Sequence, residues 1–256
     1  FWFNAGGESS AQVNITEDGN VVVTTGHPDI GGSRASIANI TAELLGIDVN
    51  RVSVLIGDTA TIGFSNLTGG SRVLFASALV VTESTNQVID ILKDRASKIW
   101  NIDKEAIEWE NGEARPAGDN AGKFKPLSLV ELAEQATPTG GPIGAGHQVN
   151  TVGAEGGFAT HICDVEVDIE LGIARIIRYT AAQDVGKAIH PAYVEGQLQG
   201  GVVQGIGWAL NEEYIYNKEG KLDNPGFLDY RIPVCSDLPM IDTILVEVPN
   251  PQHPQG

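Results

Sequence analysis

The sequence predicts an α+β fold of two related two-layer units, each a mixed β-sheet with helices packed on one face. A β-hairpin pattern followed by a helix pattern occurs twice, over residues 11–45 and again over residues 157–213. The triplets Asp29-Ile30-Gly31 and Asp184-Val185-Gly186 stand at the same place in the two copies, between hairpin and helix. Strands and helices in this order are typical of two-layer α+β domains.

Composition limits the size of the fold and its partners. The 256 residues are 42% hydrophobic and 19% charged, enough for two small domains with real cores. A Gly/Pro-rich connector over residues 137–146 suggests a first unit at residues 1–140 and a second at 141–256, truncated at its C-terminal end. The net charge of −17 disfavours nucleic acid, and no apolar run is long enough for a membrane span. We therefore expect a cytoplasmic protein.

The first unit begins with a predicted hairpin over Ala11–Thr25, since apolar residues alternate on both sides of Asp18-Gly19-Asn20. An amphipathic helix over Arg34–Leu45 follows, with Ser33 as N-cap and Gly46 at its end. The remaining expected elements are a strand over 49–56, a long helix over 71–100, a hairpin over 107–114 and a short helix over 127–136 capped by Ser128.

The second unit begins with a longer hairpin, over residues 157–170 and 173–182, that turns at Leu171-Gly172. A helix starts at Pro191, because the first helical turn does not use the N–H that proline lacks. Beyond this helix we expect a short hairpin over 213–222, an extended segment over 227–233 and a final strand over 241–248.

The helix after Pro191 is unusual in its glycines. Apolar residues four apart form one stripe along it, made by Val194, Leu198, Val202 and Ile206. Another side carries Gly196, Gly200 and Gly207, beside Gln197 and Gln204. Each interior glycine costs about 0.5–1 kcal/mol relative to alanine. The pattern indicates either close approach of a ligand to bare backbone or close packing against a sheet.

Two glycine-rich turns open directly into helices. The first is Gly31-Gly32-Ser33, and the second is Thr68-Gly69-Gly70-Ser71-Arg72. A helix start offers unpaired N–H groups and about half a positive charge, and hydroxyls and the Arg72 cation add to it. This pattern predicts phosphate binding, although simple loops and caps have the same composition. Neither turn matches a dinucleotide or P-loop motif.

Other candidate groups carry less information. Asp29, Asp58 and Asp184 are loop carboxylates that more often cap helices or hold turns than form an acid–base pair. The two cysteines, Cys163 and Cys235, match no metal-site spacing, and we expect both to be reduced core residues. No metal ion is therefore expected to be held directly by side chains of this chain.

Five ordered stretches together resemble the molybdenum-cofactor subunit of the molybdenum hydroxylases, the family of xanthine dehydrogenase, aldehyde oxidase and carbon monoxide dehydrogenase. They are TTGHPDIGGSRASIANITAELLGI, GDTATIGFSNLTGGSR, DVEVDIELGIARIIRYTAAQDVGKAIHP, VEGQLQGGVVQGIGWALNEE and NPGFLDYRIPVCSDLP. The resemblance implies the second of two cofactor-binding domains. In such proteins a molybdopterin, often extended by a cytosine nucleotide, lies between the two domains.

The resemblance also implies roles for single residues. Gly31, Gly32 and Ser33 would face the pterin or phosphate region; the family often has Gln where this chain has Gly32, so any role of Gly32 is through its backbone. The residues Thr68, Gly69, Gly70, Ser71 and Arg72 match the turn whose amides hold the pyrophosphate. Gln197 matches the glutamine beside the molybdenum, a hydrogen-bond donor that steadies developing charge and is the catalytic residue expected here.

The implied reaction is oxidative hydroxylation of an aldehyde, purine or N-heterocycle, or oxidation of carbon monoxide, with water as the oxygen source. Electrons would leave through iron–sulfur and FAD partners. The family's general base is a glutamate in a Gly-x-Gly-Glu segment that this sequence lacks, so we expect the chain alone to be inactive. Two alternatives stay open: a non-catalytic scaffold of the same fold, and an unrelated module that binds a phosphate ligand.

Overall fold

The computed structural model describes residues 6–57, 60–152 and 156–255. By its contacts the chain divides into two compact units, residues 1–155 with 250–256 and residues 156–249. Asp58, one of the candidate carboxylates, lies outside the described residues.

The first unit is organised around two small sheets and two packed helices. Its described elements are the strands β1 (Gly7–Ile15), β2 (Val21–Thr25), β3 (Val52–Ile56), β4 (Ile107–Glu110), β5 (Glu113–Pro116), β6 (Leu127–Ser128) and β7 (Ile143–Thr151), and the helices α1 (Ser33–Leu45), α2 (Val73–Trp100), α3 (Leu129–Glu134) and α4 (Ala136–Thr139).

The main sheet of this unit has the strand order β3-β2-β1-β7. β1 pairs antiparallel with β2 and with β7, whereas β2 and β3 are parallel because α1 connects them. The predicted hairpin is therefore confirmed, and the sheet is mixed as expected. Arg51 closes the hairpin turn by donating from Nη2 to the carbonyls of Asp18 and Gly19, at 3.0 and 2.7 Å.

The core of the first unit lies between this sheet and its helices. β2 alternates buried and half-buried residues, so Val21 and Val23 point into the core. α2 packs on β1 and β7, and α1 packs on β3 and on α2. The side chains that these helices bury completely or nearly so include Ile37, Ile40, Leu45, Val81, Val88 and Leu92.

Ser33 is not the N-cap that the sequence predicted. Gly32 takes that position in a left-handed conformation (φ 79°), and Ser33 is the first residue of α1. Gly46 ends α1 as expected, with φ 68° and its N–H on the carbonyl of Glu43. The Ser128 cap is confirmed: Ser128 and Glu131 form a capping box at the start of α3.

β7 lies where the sequence predicted part of a connector. It pairs with β1 over nine residues, from Gly7 opposite Thr151 to Ile15 opposite Ile143. Contacts consequently place it in the first unit, and the division falls at residues 155/156 instead of 140/141.

The second unit repeats the start of the first. Its strands β8 (Ala159–Asp168) and β9 (Ile173–Asp184) form an antiparallel hairpin, helix α5 (Pro191–Leu210) follows, and β10 (Ile241–Val246) returns parallel to β9. The strand order β10-β9-β8 thus matches β3-β2-β1 in connection and direction. The predicted short hairpin is reduced to one bridge, between Tyr216 and Leu222.

The core of the second unit is small. α5 packs on β9 and β10, and the buried cluster consists of Ala181, Val202, Ile206 and Ile241. Every residue of β8 is exposed. Cys163 and Cys235 are free thiols, but both are exposed, so the expectation that they belong to the core is wrong.

Helices long and apolar enough to cross a membrane are absent from the described ranges.

Candidate ligand-binding site

The first glycine turn forms a left-handed entry to α1. Gly31 and Gly32 have φ of 62° and 79°, which only glycine adopts readily in succession. Within the described part of the chain, the N–H groups of both glycines donate to no protein acceptor. The Ser33 hydroxyl is turned inward, donating to the carbonyl of Pro28 and accepting from the N–H of Ile30, both at 3.3 Å.

Asp29 fastens this turn. One of its carboxylate oxygens accepts from the N–H of Arg34 at 3.1 Å, and the other forms an ion pair with the Arg34 side chain at 3.4 Å. Asp29 therefore supplies a side-chain acceptor to the first turn of α1, whose N-cap residue is Gly32, and this is the simpler of the two roles expected of the loop carboxylates. Asp184 acts similarly in the second unit, accepting from the N–H groups of Gly186 and Val248.

The second glycine turn, residues 66–71, leads into α2 (we call it the GGS turn). Gly70 and Ser71 are both left-handed, with φ of 66° and 58°. Among the described residues, no acceptor takes the backbone N–H of Thr68, Gly69, Gly70 or Ser71, and Thr68 and Ser71 are exposed. The turn therefore presents several consecutive amide donors to solvent, as an anion requires.

Arg72 does not point outward. It is fully buried, and its guanidinium donates from Nε to the Gly6 carbonyl at 2.5 Å. Nη1 donates to the carbonyls of Asn66 and Leu67, and Nη2 to those of Gly7 and Glu8, all at 3.0–3.2 Å. All five guanidinium N–H groups are thus used within the chain. The expected direct contact of this cation with a phosphate is not what the structure shows.

His27 lies four residues before Gly31 and was not singled out from the sequence. It is buried, and its Nε2 lies 3.0 Å from the Ser9 hydroxyl. Burial, together with the nearby Arg72 cation, lowers the pKa of His27 to about 4. His27 is therefore neutral at physiological pH. The only sequence signal for it was its place immediately before Pro28 and the first glycine turn.

The segments that precede the two turns lie against each other and against Ser10 of β1. A Cβ on Gly26 would touch the Ser65 side chain, so the segment before the first turn runs against the segment before the GGS turn. Ser10 binds this second segment twice, donating its hydroxyl to the carbonyl of Gly63 and its N–H to the Ser65 hydroxyl. The structure thus brings the flanks of both predicted turns together within the first unit.

The glycine face of α5, in the second unit, is open. A Cβ added at Gly196, Gly200, Gly201 or Gly205 would meet nothing within 4 Å. Gln197 is exposed, and its amide has no partner among the described residues. Gly207 differs from the others, because a Cβ there would press on Glu212 and Pro233.

Side chains around α5 brace the second unit. The Tyr230 hydroxyl donates to Glu212 at 2.7 Å, and this bond raises the pKa of Tyr230 to about 12. The His190 ring stacks on Tyr193 with the centroids 3.9 Å apart, so His190 packs at the start of the helix. Groups of three or more His, Cys, Asp or Glu side chains able to hold a metal ion do not occur in the described part of the chain.

Chemically, the described arrangement offers amide donors and an open backbone face. Two sets of unpaired N–H groups in the first unit suit an anionic ligand, and two exposed amide side chains, Gln197 and Gln204, stand beside the glycines of α5 in the second. These features favour binding and orienting a charged group over acid–base chemistry by this chain's own residues.

A family model described as the molybdopterin cofactor-binding domain matches residues 1–239. The chain is 25% identical to the carbon monoxide dehydrogenase large chain of Hydrogenophaga pseudoflava, over 96% of this chain and 31% of that one. It is 29% identical to the putative xanthine dehydrogenase molybdenum-binding subunit of Escherichia coli K12, over 97% and 34% of the two chains. The crystal structure of quinoline 2-oxidoreductase from Pseudomonas putida 86 superposes with a TM-score of 0.87 at 28% identity, over 97% and 32%. The chain spans about a third of the length of these relatives.

Proposed function

This chain belongs to the family of molybdopterin cofactor-binding domains, and we propose that it binds the molybdopterin of a molybdenum hydroxylase. The proposed binding groups of the first unit are its two glycine turns; for the second unit, taken by itself, the proposed group is the glycine face of α5. The observation that carries the proposal is the run of unpaired amides at Thr68, Gly69, Gly70 and Ser71. A pyrophosphate group is an anion of the kind that such amides bind at the start of a helix.

The residues present fit this cofactor. Gly31 and Gly32 add two further free amides beside Ser33, and their lack of Cβ atoms lets an anion approach the backbone. Along α5, Gly196 and Gly200 leave open space beside the helix, which supports close approach of a flat ring system. We propose that Arg72 contributes to the site through its backbone and its position, since its side chain has no donor left.

Gln197 is the residue of this chain that we propose to act in the reaction. Its free, exposed amide stands on the glycine face, where it can donate a hydrogen bond toward the bound cofactor. The cofactor, when bound, supplies the two-electron redox chemistry. Gln197 would stabilise charge that develops on an oxygen next to it, and a fixed donor of this type gains strength where water is excluded.

The activity that we propose is oxidative hydroxylation, or oxidation of carbon monoxide, with water as the oxygen source. The names of the relatives support this class, since they include a carbon monoxide dehydrogenase, a xanthine dehydrogenase and quinoline 2-oxidoreductase. An aldehyde, a purine, an N-heterocycle or carbon monoxide is therefore the substrate class. We also propose the cytosine dinucleotide form of the cofactor as one form the site accepts.

Partners are part of the proposal. The second unit exposes many large apolar side chains, among them Phe227, Leu228 and Met240. Large exposed apolar surfaces of this kind mark protein–protein interaction sites. This surface supports a partner such as the first cofactor-binding domain. Iron–sulfur and FAD domains or subunits would then take up the electrons, and the acidic composition supports a cytoplasmic enzyme.

The deciding experiment is cofactor analysis of the complete enzyme that carries this chain. After purification, molybdenum is measured by mass spectrometry and the released pterin by the fluorescence of its oxidised form. We expect about one of each per chain. A complete enzyme with neither would favour the non-catalytic scaffold, whereas binding of free nucleotide phosphates without molybdenum would favour the unrelated phosphate-binding module.

A further inference from the structure

Arg72 makes a concentrated set of hydrogen bonds. Its five N–H groups reach five backbone carbonyls that belong to two segments far apart in the chain. Three of these carbonyls belong to the start of β1, at Gly6, Gly7 and Glu8. The other two belong to Asn66 and Leu67, at the start of the GGS turn. A single planar group therefore ties the turn to the sheet.

The positive charge of Arg72 is compensated by backbone carbonyl dipoles and not by a carboxylate. In the described ranges no acidic side chain lies within ion-pair distance of Arg72, although Glu8 is near enough to raise its pKa against the larger lowering effect of burial. Burying a charge is costly unless it is hydrogen-bonded on all sides. This arrangement persists because the five carbonyls replace water around the guanidinium.

Further bonds hold the same turn to the same strand. The N–H of Asn66 donates to the carbonyl of Glu8 at 2.9 Å, and the Asn66 side chain accepts from the N–H of Leu67 at 2.7 Å. Ser10 binds the segment at Gly63 and Ser65. The left-handed residues Gly70 and Ser71 lie between these anchors and Arg72. The direction of the free amides is therefore set by anchors at both ends of the turn.

We propose that Arg72 is a positioning residue, whose buried guanidinium fixes the GGS turn on β1 and so aims the free amides of residues 68–71 at the pyrophosphate of the cofactor. This inference rests on the proposed function. Arg72 acts through the turn and touches no ligand, which reverses the direct cation contact expected from the sequence. Lysine cannot replace it, because an ammonium has three donors and no planar fork for five carbonyls.

The test compares Arg72→Lys with Arg95→Lys in the complete enzyme. Arg95 is a matched control: it is also buried in the first unit, lies on α2, and donates Nη2 to the carbonyl of Gly140 at 3.1 Å, away from the turn. Bound pterin, molybdenum and the thermal unfolding midpoint are measured for each. We expect Arg72→Lys to lower bound pterin about 10- to 100-fold, as loss of a supporting partner does at other sites, and Arg95→Lys to keep it.

The readout that separates positioning from general stability is hydrogen exchange. The amides of Asn66 and Leu67, which are hydrogen-bonded at the start of the turn, should exchange faster in Arg72→Lys, while core amides of α2 exchange as in the Arg95→Lys control. Wild-type pterin content in Arg72→Lys would overturn the inference, as would equal losses in the two variants. Absence of pterin from the wild-type enzyme would instead refute the proposed function.

A second variant decides the matter if Arg72→Lys does not fold. Asn66→Ala removes the side-chain bonds to Leu67 and Glu8 but leaves every Arg72 partner in place, because Arg72 uses the Asn66 carbonyl. The expected result is a several-fold loss of bound pterin with an unchanged unfolding midpoint. Full pterin retention in Asn66→Ala would then count against an anchored turn.

Discussion

In the first unit, helix α1 packs Ile37 and Ile40 on the sheet and is covered in turn by α2. In the second unit, α5 follows the same kind of hairpin, yet Gly196 and Gly200 face open space along it. The two units share a hairpin–helix–parallel strand connection. The difference shows that one topology can support either a filled core or an open face, depending on which helix residues carry side chains.

The same difference is visible in apolar burial. The first unit buries valine, isoleucine and leucine side chains completely, whereas the second has four buried residues in its cluster and an exposed β8. The first unit therefore buries its apolar side chains within its own core. The second keeps an apolar surface that is consistent with the partner domains proposed above.

Truncating one leucine in each unit is the most direct test of this difference in packing. Leu92 is 0% exposed, so Leu92→Ala should lower the free energy of unfolding by about 2–5 kcal/mol. Leu228 is 92% exposed, so Leu228→Ala should change it by less than about 0.5 kcal/mol. Urea unfolding of this chain measures both. Equal losses would show that the second unit is as well packed as the first.

Gln197 tests the open face of the second unit. In the complete enzyme, Gln197→Ala should lower kcat on the order of 100-fold, because a charge-stabilising donor is lost. Bound molybdenum should stay unchanged, because the cofactor contacts proposed for the turns of the first unit remain in this variant. Gln204→Ala is the control, since Gln204 is another exposed amide on α5. A normal kcat in Gln197→Ala would remove Gln197 from the reaction.

Gly70 tests the turn of the first unit. Gly70→Val forces a branched side chain into φ 66°, at a cost of about 1–2 kcal/mol, and crowds the free amides. Gly118→Val imposes similar strain at φ 57°, where a Cβ meets nothing within 4 Å. Both should lose similar stability in thermal unfolding, but only the Gly70 variant should lose bound molybdenum. Normal molybdenum content in that variant contradicts the proposed turn.

The smallest expected effect on stability near neutral pH comes from His27. Its pKa is lowered to about 4 in the folded chain from an ordinary value of 6.5, so below pH 6.5 the unfolded chain binds the proton more readily. This group's contribution to stability is therefore complete above pH 6.5 and is lost as pH falls toward 4, at up to about 1.4 kcal/mol per pH unit. Urea unfolding at pH 7.0, 5.5 and 4.5 should show a steeper loss in wild type than in His27→Gln. Identical slopes would mean that His27 is not held neutral.

Much of the fold followed from local patterns. Asp18-Gly19 and Leu171-Gly172 marked both hairpins, and the apolar stripe of α5 placed Val202 and Ile206 in the core. β7 was missed because its glycines break the alternation of apolar residues. In the structure these glycines make room: a Cβ at Gly144 or Gly146 would meet the side chains of Asn14 or Gln12 from the neighbouring strand.

The site was predicted in a similar way. Composition and resemblance predicted the candidate ligand contacts, namely Gly31-Gly32, Thr68–Ser71 and Gln197. These contacts stay predictions. The Ser33 cap was wrong because α1 begins one residue earlier than predicted, with Gly32 as N-cap, and the Ser33 hydroxyl donates to the carbonyl of Pro28 instead. Nothing local marked His27 as a buried neutral group.

By itself the sequence determined the family, the repeated hairpin–helix order and the glycine turns, because these depend on short-range spacing and backbone freedom. Only the tertiary structure decided what Arg72 does. Its partners at Gly6, Gly7 and Glu8 lie 64–66 residues away in sequence. Folding brings those carbonyls within hydrogen-bond distance of the guanidinium, so that a cation expected at the surface is instead buried and bonded to the backbone.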